Sequence, residues 1–124
     1  MKLVRDARGE GPLISGLVGR GFRVDGGVYE GLSITPLRAD PWSPPPVEAL
    51  GEDDLASLWS LDPLPEFLIL GTGSRLIRPP VALINAIEAR GFGVEVMDSR
   101  AAARAWGVLR GELRWIAAAL YPLD

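Results

Sequence analysis

The chain of 124 residues contains no histidine and no cysteine. The absence of cysteine excludes a disulfide framework, a thiol nucleophile and a cysteine-ligated zinc or iron–sulfur cluster. The absence of histidine excludes a serine–histidine relay, a histidine-ligated metal and an imidazole base. We therefore expect neither a metal site nor a cofactor. An enzyme would have to rely on carboxylates, arginine, Lys2, tyrosine, serine or threonine, so the residue types leave catalysis an open question.

Basic charge and long apolar runs are also scarce. Lysine and arginine total 13 residues against 16 aspartates and glutamates, which gives a net charge of −3. General nucleic-acid-binding proteins carry a basic excess, so we expect no nucleic-acid partner. The longest apolar run is too short to cross a bilayer, and residues 1–6 lack the apolar core of an export signal. The sequence predicts a cytoplasmic protein without a transmembrane segment.

The composition indicates a globular domain preceded by a short arm. Hydrophobic residues make up 48% of the chain and charged residues 23%, which is typical of folded domains. A chain of this length buries roughly two-thirds of its unfolded surface, which is enough for one core. Residues 1–12 are polar and contain glycine and proline, so they predict a flexible N-terminal arm. We expect a single α/β domain over residues 13–124.

The first part of that domain has the pattern of β-structure. Apolar and β-branched residues, interrupted by glycines, predict strands over Ile14–Val18, 22–24 and 28–35. The tripeptide Asp-Gly-Gly at positions 25–27 separates the second of these strands from the third. Because these residue types tolerate the positive φ of a tight turn, the pattern predicts an N-terminal β-hairpin.

The segment from 38 to 66 is rich in proline and in acid. Its four closely spaced prolines are Pro41, Pro44, Pro45 and Pro46. Prolines at this density forbid a regular strand ladder, while Trp42 among them indicates an ordered wrap. Acidic residues followed by apolar residues at helical spacing predict a short helix over Glu52–Ser60. From Glu48 to Glu66 there are six acidic residues and no basic one, and we favour a solvated face over a partner-binding patch.

The second half of the chain predicts three strands separated by two helices. Apolar runs predict strands over residues 67–70, 94–97 and 115–121. A pair of prolines at positions 79 and 80 favours a helix start, and Gly91 favours a left-handed helix end. The second helix includes residues 101–109. The order strand–helix–strand–helix–strand implies right-handed crossovers and neighbouring parallel strands, with the helices packed on the sheet.

A glycine-rich segment directly follows the first strand of this unit. It consists of Gly71, Thr72, Gly73, Ser74 and Arg75. In open α/β sheets, ligands bind beyond the carboxyl ends of the strands, and glycines let backbone N–H groups approach an anion. Hydroxyl and guanidinium donors in the segment would add to such a site. The segment resembles a dinucleotide fingerprint, but Leu76 occupies the place of its third glycine.

Two charged residues outside the glycine-rich segment complete the candidate site. Asp98 directly follows the next strand. It would either bind a ligand there or cap the second helix, a role for which Ser99 is the other candidate. Arg114 precedes the last strand beside Glu112, where it would form a local ion pair or contribute to the pocket. Two interpretations stay open: a tight turn without a ligand, and a pocket for a small anion or another small ligand.

Several groups of residues, in their order and spacing, carry a resemblance to a known family. They are FRV (22–24), YEG (29–31), Pro36 and Trp42, then FLILGTG (67–73), Gly91, VEVMD (94–98), Ala101-Ala102, ELR (112–114) and AAAL (117–120). Residues 13–122 resemble the family of the mitochondrial NADH dehydrogenase 1 alpha subcomplex assembly factor three and the adipogenesis-associated domain protein. That family also has short bacterial and archaeal members of unknown function.

The resemblance implies an α/β fold with three layers and a mixed central sheet, into which the predicted N-terminal β-hairpin and C-terminal β-α-β-α-β unit fit. It implies no established catalytic activity, and it implies respiratory-complex subunits or assembly factors as partners. The chain departs from the family at Ser99, where threonine is common, and at Gly107, where asparagine is common. Two functions stay open: a non-catalytic interaction or assembly factor, and a small-ligand protein or enzyme that uses the glycine-rich segment.

Overall fold

The computed structural model describes residues 10–124, which form two β-sheets and two α-helices. Most of the predicted N-terminal arm, residues 1–9, lies outside the described residues. Within the described part of the chain, one sheet has three strands and the other has five. The predicted α/β class and the mixed sheet that the family resemblance implies are both confirmed.

The three-stranded sheet is antiparallel and contains the predicted hairpin. It consists of β1 (Ile14–Val18), β2 (Gly21–Val24) and β3 (Gly27–Tyr29), in that spatial order. Val24 pairs with Gly27 across a two-residue turn. Asp25 in that turn has a φ of 52°, a left-handed value that aspartate tolerates better than most residues. The local sequence therefore sets this turn.

The strand predicted over residues 28–35 is divided between the two sheets. β3 ends at Tyr29, and the next strand, β4 (Leu32–Ile34), belongs to the five-stranded sheet. Between them, the carbonyl oxygen of Gly31 accepts a hydrogen bond from the Trp42 N–H at 2.9 Å. A Cβ at position 31 would overlap the carbonyl of Trp42. The chain thus changes sheets at a glycine, at a point where the pairing of the following strand with residues 39–41 leaves no room for a Cβ beside the Trp42 carbonyl.

One proline lies within a strand, contrary to the sequence prediction for residues 38–66. β5 (Ala39–Pro41) pairs with β4, and Pro41 lies opposite Leu32. β5 is an edge of the five-stranded sheet. Proline is tolerated at an edge because one side of the strand needs no N–H donor.

The five-stranded sheet is built around the C-terminal unit. β6 (Phe67–Gly71), β7 (Gly93–Met97) and β8 (Ala117–Leu120) join the two N-terminal strands in the order β5-β4-β8-β6-β7. β6 is parallel to both β7 and β8, whereas β4 is antiparallel to β8. The predicted parallel arrangement is confirmed, and the carboxyl ends of β6, β7 and β8 lie at one edge.

Two helices connect these strands and begin and end as the sequence predicts. α1 (Val81–Ala89) starts after the proline pair, and Gly91 beyond it has a φ of 101°. α2 (Ser99–Gly111) is capped by Asp98, whose Oδ1 accepts a hydrogen bond from the Ala101 N–H at 2.9 Å. Caps of this kind satisfy N–H groups that have no partner within the helix.

The sheet separates two buried clusters, which gives the molecule its layers. On one face, α1 and the 3-10 helix Glu52–Ser60 cover Leu68 and Leu70 of β6. On the other face, α2 and the three-stranded sheet cover Ile69. Trp106 of α2 is fully buried there. Alternate residues of β6 face opposite sides, so a continuous apolar run supplies both clusters.

Candidate functional site

The glycine-rich segment turns sharply off the end of β6 and packs against the start of α2. A Cβ at Gly71 would lie 2.9 Å from the Ser99 Oγ and 3.0 Å from the Ala102 Cβ. Both distances are shorter than ordinary packing contacts. Gly71 is therefore required by the packing of the helix on the strand, without reference to a ligand.

Thr72 closes the segment with hydrogen bonds inside the protein. Its N–H donates to the carbonyl of Met97 at 2.9 Å. Its hydroxyl donates to the carbonyl of Arg75 at 2.7 Å and accepts from the Ile77 N–H at 3.0 Å. The residue is 3% exposed. The hydroxyl expected to bind a ligand is thus engaged in shaping the turn.

Ser99 holds the segment to the end of β8. Its hydroxyl accepts a hydrogen bond from the Gly73 N–H and donates one to the carbonyl of Tyr121, both at 2.8 Å. Its own N–H donates to the carbonyl of Gly73, also at 2.8 Å. The sequence indicated Ser99 only as a candidate helix cap. In the structure it is fully buried and joins three chain segments.

The remaining predicted residues of the segment differ in their exposure and bonding. The Ser74 hydroxyl accepts a hydrogen bond from the Asp124 N–H at 2.8 Å. Asp98 is occupied as the cap of α2. Arg75 is exposed, and its guanidinium has no ion pair among residues 10–124. The structure thus brings these residues to one edge of the sheet, with Arg75 as their free cation.

Arg114 lies apart from the glycine-rich segment, at the opposite edge of the sheet. Its Nη2 lies 2.8 Å from the Glu66 Oε1, and its guanidinium lies over the ring of Phe67. The hydrogen bond from Arg114 to Glu66, together with their charges, raises the pKa of Arg114. Glu66 precedes β6 whereas Gly71 ends it, a separation of roughly 16 Å along the strand. Arg114 precedes β8 just as Glu66 precedes β6. Because β6 and β8 are parallel, both residues lie at the edge of the sheet where these strands begin, away from Gly71.

A groove lies beside the glycine-rich segment, at the carboxyl edge of β6 and β8. Its volume is about 570 Å³, within the range usual for ligand pockets. Its lining consists of Arg20, Glu30, Gly31, Trp42, Ser43, Pro44, Pro45, Pro46, Val47, Glu48, Thr72, Gly73, Ile77, Tyr121, Pro122 and Asp124. Most of these residues belong to segments that the sequence did not connect with the glycines.

One wall of the groove is residues 42–48, which we call the proline wrap. Trp42 anchors the proline wrap, because its indole N–H donates to the carbonyl of Asp54 at 2.8 Å. The Tyr121 ring meets Trp42 edge-on, with 5.1 Å between ring centroids. The Tyr121 hydroxyl donates to the carbonyl of Pro45 at 2.6 Å. These contacts tie the proline wrap to the end of β8, as the tryptophan among the prolines suggested.

The charges of the groove are mainly negative. Three carboxylate side chains line it: Glu30, Glu48 and Asp124. Its lining cation, Arg20, donates from Nε to the carbonyl of Leu123 at 2.9 Å and lies 3.7 Å from the Glu30 carboxylate. Glu48 has no ion pair among residues 10–124. This charge distribution opposes the preference for anions that the sequence suggested.

Burial and the negative charge near the groove both affect the pKa of the Tyr121 phenol. Burial, then the negative charges of Asp54 and Glu48, raise the pKa of Tyr121 above its ordinary value. The charges of Asp54 and Glu48 disfavour any further negative charge at this wall of the groove, including that of an ionised Tyr121. The sequence did not single out Tyr121 as a functional residue, and it named Glu48 only as one end of an acidic run for which a solvated face was favoured. The prolines around Trp42 were the one local signal of an ordered wall.

The described residues contain neither a cluster of metal-ligating side chains nor a helix suited to spanning a membrane. Among residues 10–124, no group of three or more histidine, cysteine, aspartate or glutamate side chains is placed to hold a metal ion. No helix in the described part of the chain combines the length and apolar character that a membrane span requires.

Comparison with curated proteins supports the resemblance drawn from the sequence. The chain is 32% identical over 104 residues to NADH dehydrogenase [ubiquinone] 1 alpha subcomplex assembly factor 3 from Danio rerio and from Homo sapiens. These matches cover 83% of this chain, but it spans only 60% and 56% of the two relatives. An uncharacterized protein from Rhodobacter capsulatus is 37% identical over 103 residues, or 82% of this chain and 77% of that protein.

Solved structures show the same fold. A crystal structure of a Bordetella parapertussis protein has a TM-score of 0.81 at 25% identity, covering 91% of this chain and 97% of that one. An NMR structure from Bordetella pertussis, described as a Mth938-like domain, has a TM-score of 0.74 at 25% identity and covers 98% and 92%. The NMR structure of XCC1710 from Xanthomonas campestris has a TM-score of 0.76 at 27% identity and covers 97% and 91%.

The family match extends over almost the whole described fold, from β1 to the residue after β8. It covers residues 14–121 and carries the description "Protein of unknown function (DUF498/DUF598)". Together with the relatives and the structural neighbours, it shows that the chain belongs to the DUF498/DUF598 family.

Proposed function

We propose that this protein is a non-catalytic interaction factor that assists the assembly of a respiratory complex. The observation that carries the proposal is the 32% identity, over 83% of this chain, to proteins named as complex I assembly factors. The expected partners are respiratory-complex subunits or other assembly factors. The proposed compartment is the cytoplasm, as the sequence predicts.

The proposed contact surface is the groove beside the proline wrap. The hydroxyls of Thr72 and Ser99 are bonded inside the protein. By contrast, the proline wrap presents prolines, an aromatic side chain and the Glu48 carboxylate at a concave surface. Protein–protein contacts depend on such anchored apolar and aromatic surface with a charged rim. The geometry therefore supports binding of a partner at this groove.

Affinity capture from a native lysate of the source organism tests the proposal. The tagged full chain is compared with Glu48→Lys, which reverses a groove charge, and with Glu88→Lys, an exposed position on α1 outside the groove. We expect the unaltered chain and Glu88→Lys to enrich respiratory-complex subunits or assembly factors, and Glu48→Lys to lose them. Failure of the unaltered chain to enrich any such protein would overturn the proposal.

A second candidate function, binding of a small anion or other small ligand near the glycine-rich segment, is favoured by the groove volume alone. Its test is a thermal-shift screen of phosphate, sulfate, nucleotides and carboxylates, with Arg75→Ala as the matched variant. A ligand at 100 times its Kd would stabilise the protein by about 2.7 kcal/mol. Because the groove is acidic, we expect no such shift with any of these anions. A shift that Arg75→Ala removes would favour this second function.

A further inference from the structure

The groove has a rigid apolar floor. Trp42 and Ile77 are half-buried and Tyr121 is buried in its lining. Pro44 and Pro45 beside them are also half-buried. Proline fixes its own φ, and Trp42 and Tyr121 are held by the hydrogen bonds that anchor the proline wrap. A wall that is already ordered loses little conformational entropy when a partner binds.

The rim above this floor is acidic and largely unneutralised. Glu30, Glu48 and Asp124 are exposed. Glu48 and Asp124 have no ion pair within residues 10–124, whereas Glu30 pairs with Arg20 at 3.7 Å. An occupant that brings positive charge would therefore meet uncompensated carboxylates. An acidic occupant would meet like charges, which costs affinity and selects against it.

Arginine and lysine side chains combine the two properties that this groove requires. Each has an apolar stem, which lies along apolar surface, and a charged end that remains near carboxylates or water. We propose that the groove binds a cationic segment of a partner protein, in which arginine or lysine side chains alternate with apolar ones. This inference rests on the proposed function, because it assigns a chemical class to the partner of the same groove.

Binding of synthetic peptides to the purified full chain tests the inference. The probe is a short capped peptide that alternates leucine and arginine. Two matched peptides replace every arginine with glutamine or with glutamate. We expect the arginine peptide to bind most tightly in calorimetric titration, and the glutamate peptide to bind at least about tenfold more weakly. Amide chemical shifts are expected to change at residues 72–77 and at the residues of the proline wrap that carry an N–H group, namely 42, 43, 47 and 48. Affinity is expected to fall as salt rises.

Variants of Glu48 test whether the arginine peptide binds at the rim of the groove. Removing one rim charge with Glu48→Gln is expected to weaken the arginine peptide by about two- to fivefold. Reversing it with Glu48→Lys is expected to weaken it more than about tenfold, whereas Glu88→Gln on α1 leaves it unchanged. Thermal melts confirm that each variant is folded. Glu48 is exposed and makes no ion pair that its replacement would break within the described residues.

The possible outcomes separate the inference from the proposed function. Equal affinity for the three peptides, shifts that map elsewhere, or indifference to both Glu48 variants would overturn the cationic assignment. If lysate capture succeeds through the groove but the arginine peptide does not bind, the assembly function stands and the partner class is wrong. If the peptide binds at the groove but capture fails, the groove chemistry stands and the assembly function is wrong.

Discussion

The glycine-rich segment, residues 71–75, and the proline wrap, residues 42–48, border the same groove but present it with different chemistry. In the glycine-rich segment, hydroxyls and backbone donors are engaged with Met97, Ser99 and neighbouring carbonyls. The proline wrap holds itself in place through Trp42 and leaves Glu48 exposed. Residues whose types suggest a binding site can thus stabilise the fold instead, while an irregular segment provides the exposed binding surface.

Because of this difference, we expect the glycine-rich segment to contribute mainly to stability and the proline wrap mainly to binding. Buried hydroxyls whose partners are also buried contribute to stability, since removing one leaves donors or acceptors unsatisfied. An exposed carboxylate with no ion pair contributes little to stability. Changes at Gly71 and Thr72 should therefore destabilise the protein before they affect a partner. Changes on the rim of the proline wrap should do the reverse.

The largest effect is expected from Gly71→Ala. The added methyl would contact Ser99 and Ala102 at 3.0 Å or less, including the backbone Cα of Ser99, so we expect a cost of about 3 kcal/mol, at the upper end of the usual range for overpacking. The matched control is Gly107→Ala, where the new Cβ meets no atom within 4 Å and helix propensity adds about 1 kcal/mol. Urea denaturation measures both. Equal stability of the two variants would contradict the packing role of Gly71.

A smaller effect is expected from Thr72→Val. The replacement keeps the shape but removes a hydroxyl that bonds the carbonyl of Arg75 and the N–H of Ile77. We expect the free energy of unfolding to fall by about 2 kcal/mol, while Thr72→Ser retains most of the stability. Chemical denaturation compares the two. If Thr72→Val were as stable as Thr72→Ser, the hydroxyl would be free for a ligand and the contrast between the two regions would fail.

The smallest effect, and the one that depends on pH, is expected from Tyr121→Phe. Loss of the hydrogen bond to Pro45 should lower stability by about 1 kcal/mol near neutral pH. Because the pKa of Tyr121 is raised in the folded protein, its phenol ionises first in the unfolded state. The stability that Tyr121 contributes is therefore complete below about pH 10, the ordinary pKa of tyrosine, and is lost as the pH rises above that value. Denaturation at several alkaline pH values should show a shallower decline for Tyr121→Phe. Parallel declines would contradict the linkage.

Much of the backbone could be predicted because its signals are local. The turn at Asp25, the end of α1 at Gly91 and the Asp98 cap each depend on conformational or hydrogen-bonding preferences of a few adjacent residues. The alternation of Leu68, Ile69 and Leu70 between two apolar clusters likewise follows from a continuous apolar run. Neighbouring residues contain this information.

The misplaced elements depend on distant segments. The strand predicted over residues 28–35 breaks near Gly31, where the pairing of β4 with β5 places the Trp42 carbonyl against the chain, a contact that the residues next to Gly31 do not specify. Arg114 pairs with Glu66 instead of nearby Glu112, because two parallel strands begin at the same edge of the sheet. In both cases the pairing of strands in the folded sheet determines the partner.

The sequence by itself determined the residue types from which any chemistry must come, and it determined most of the helices, strands and turns. Tertiary structure alone decided which charges meet. It placed Glu30, Glu48 and Asp124 around one groove and sent Arg114 to the opposite edge. The reason is physical: backbone preferences act over a few residues, whereas electrostatic fields add over segments that only the folded sheet brings together.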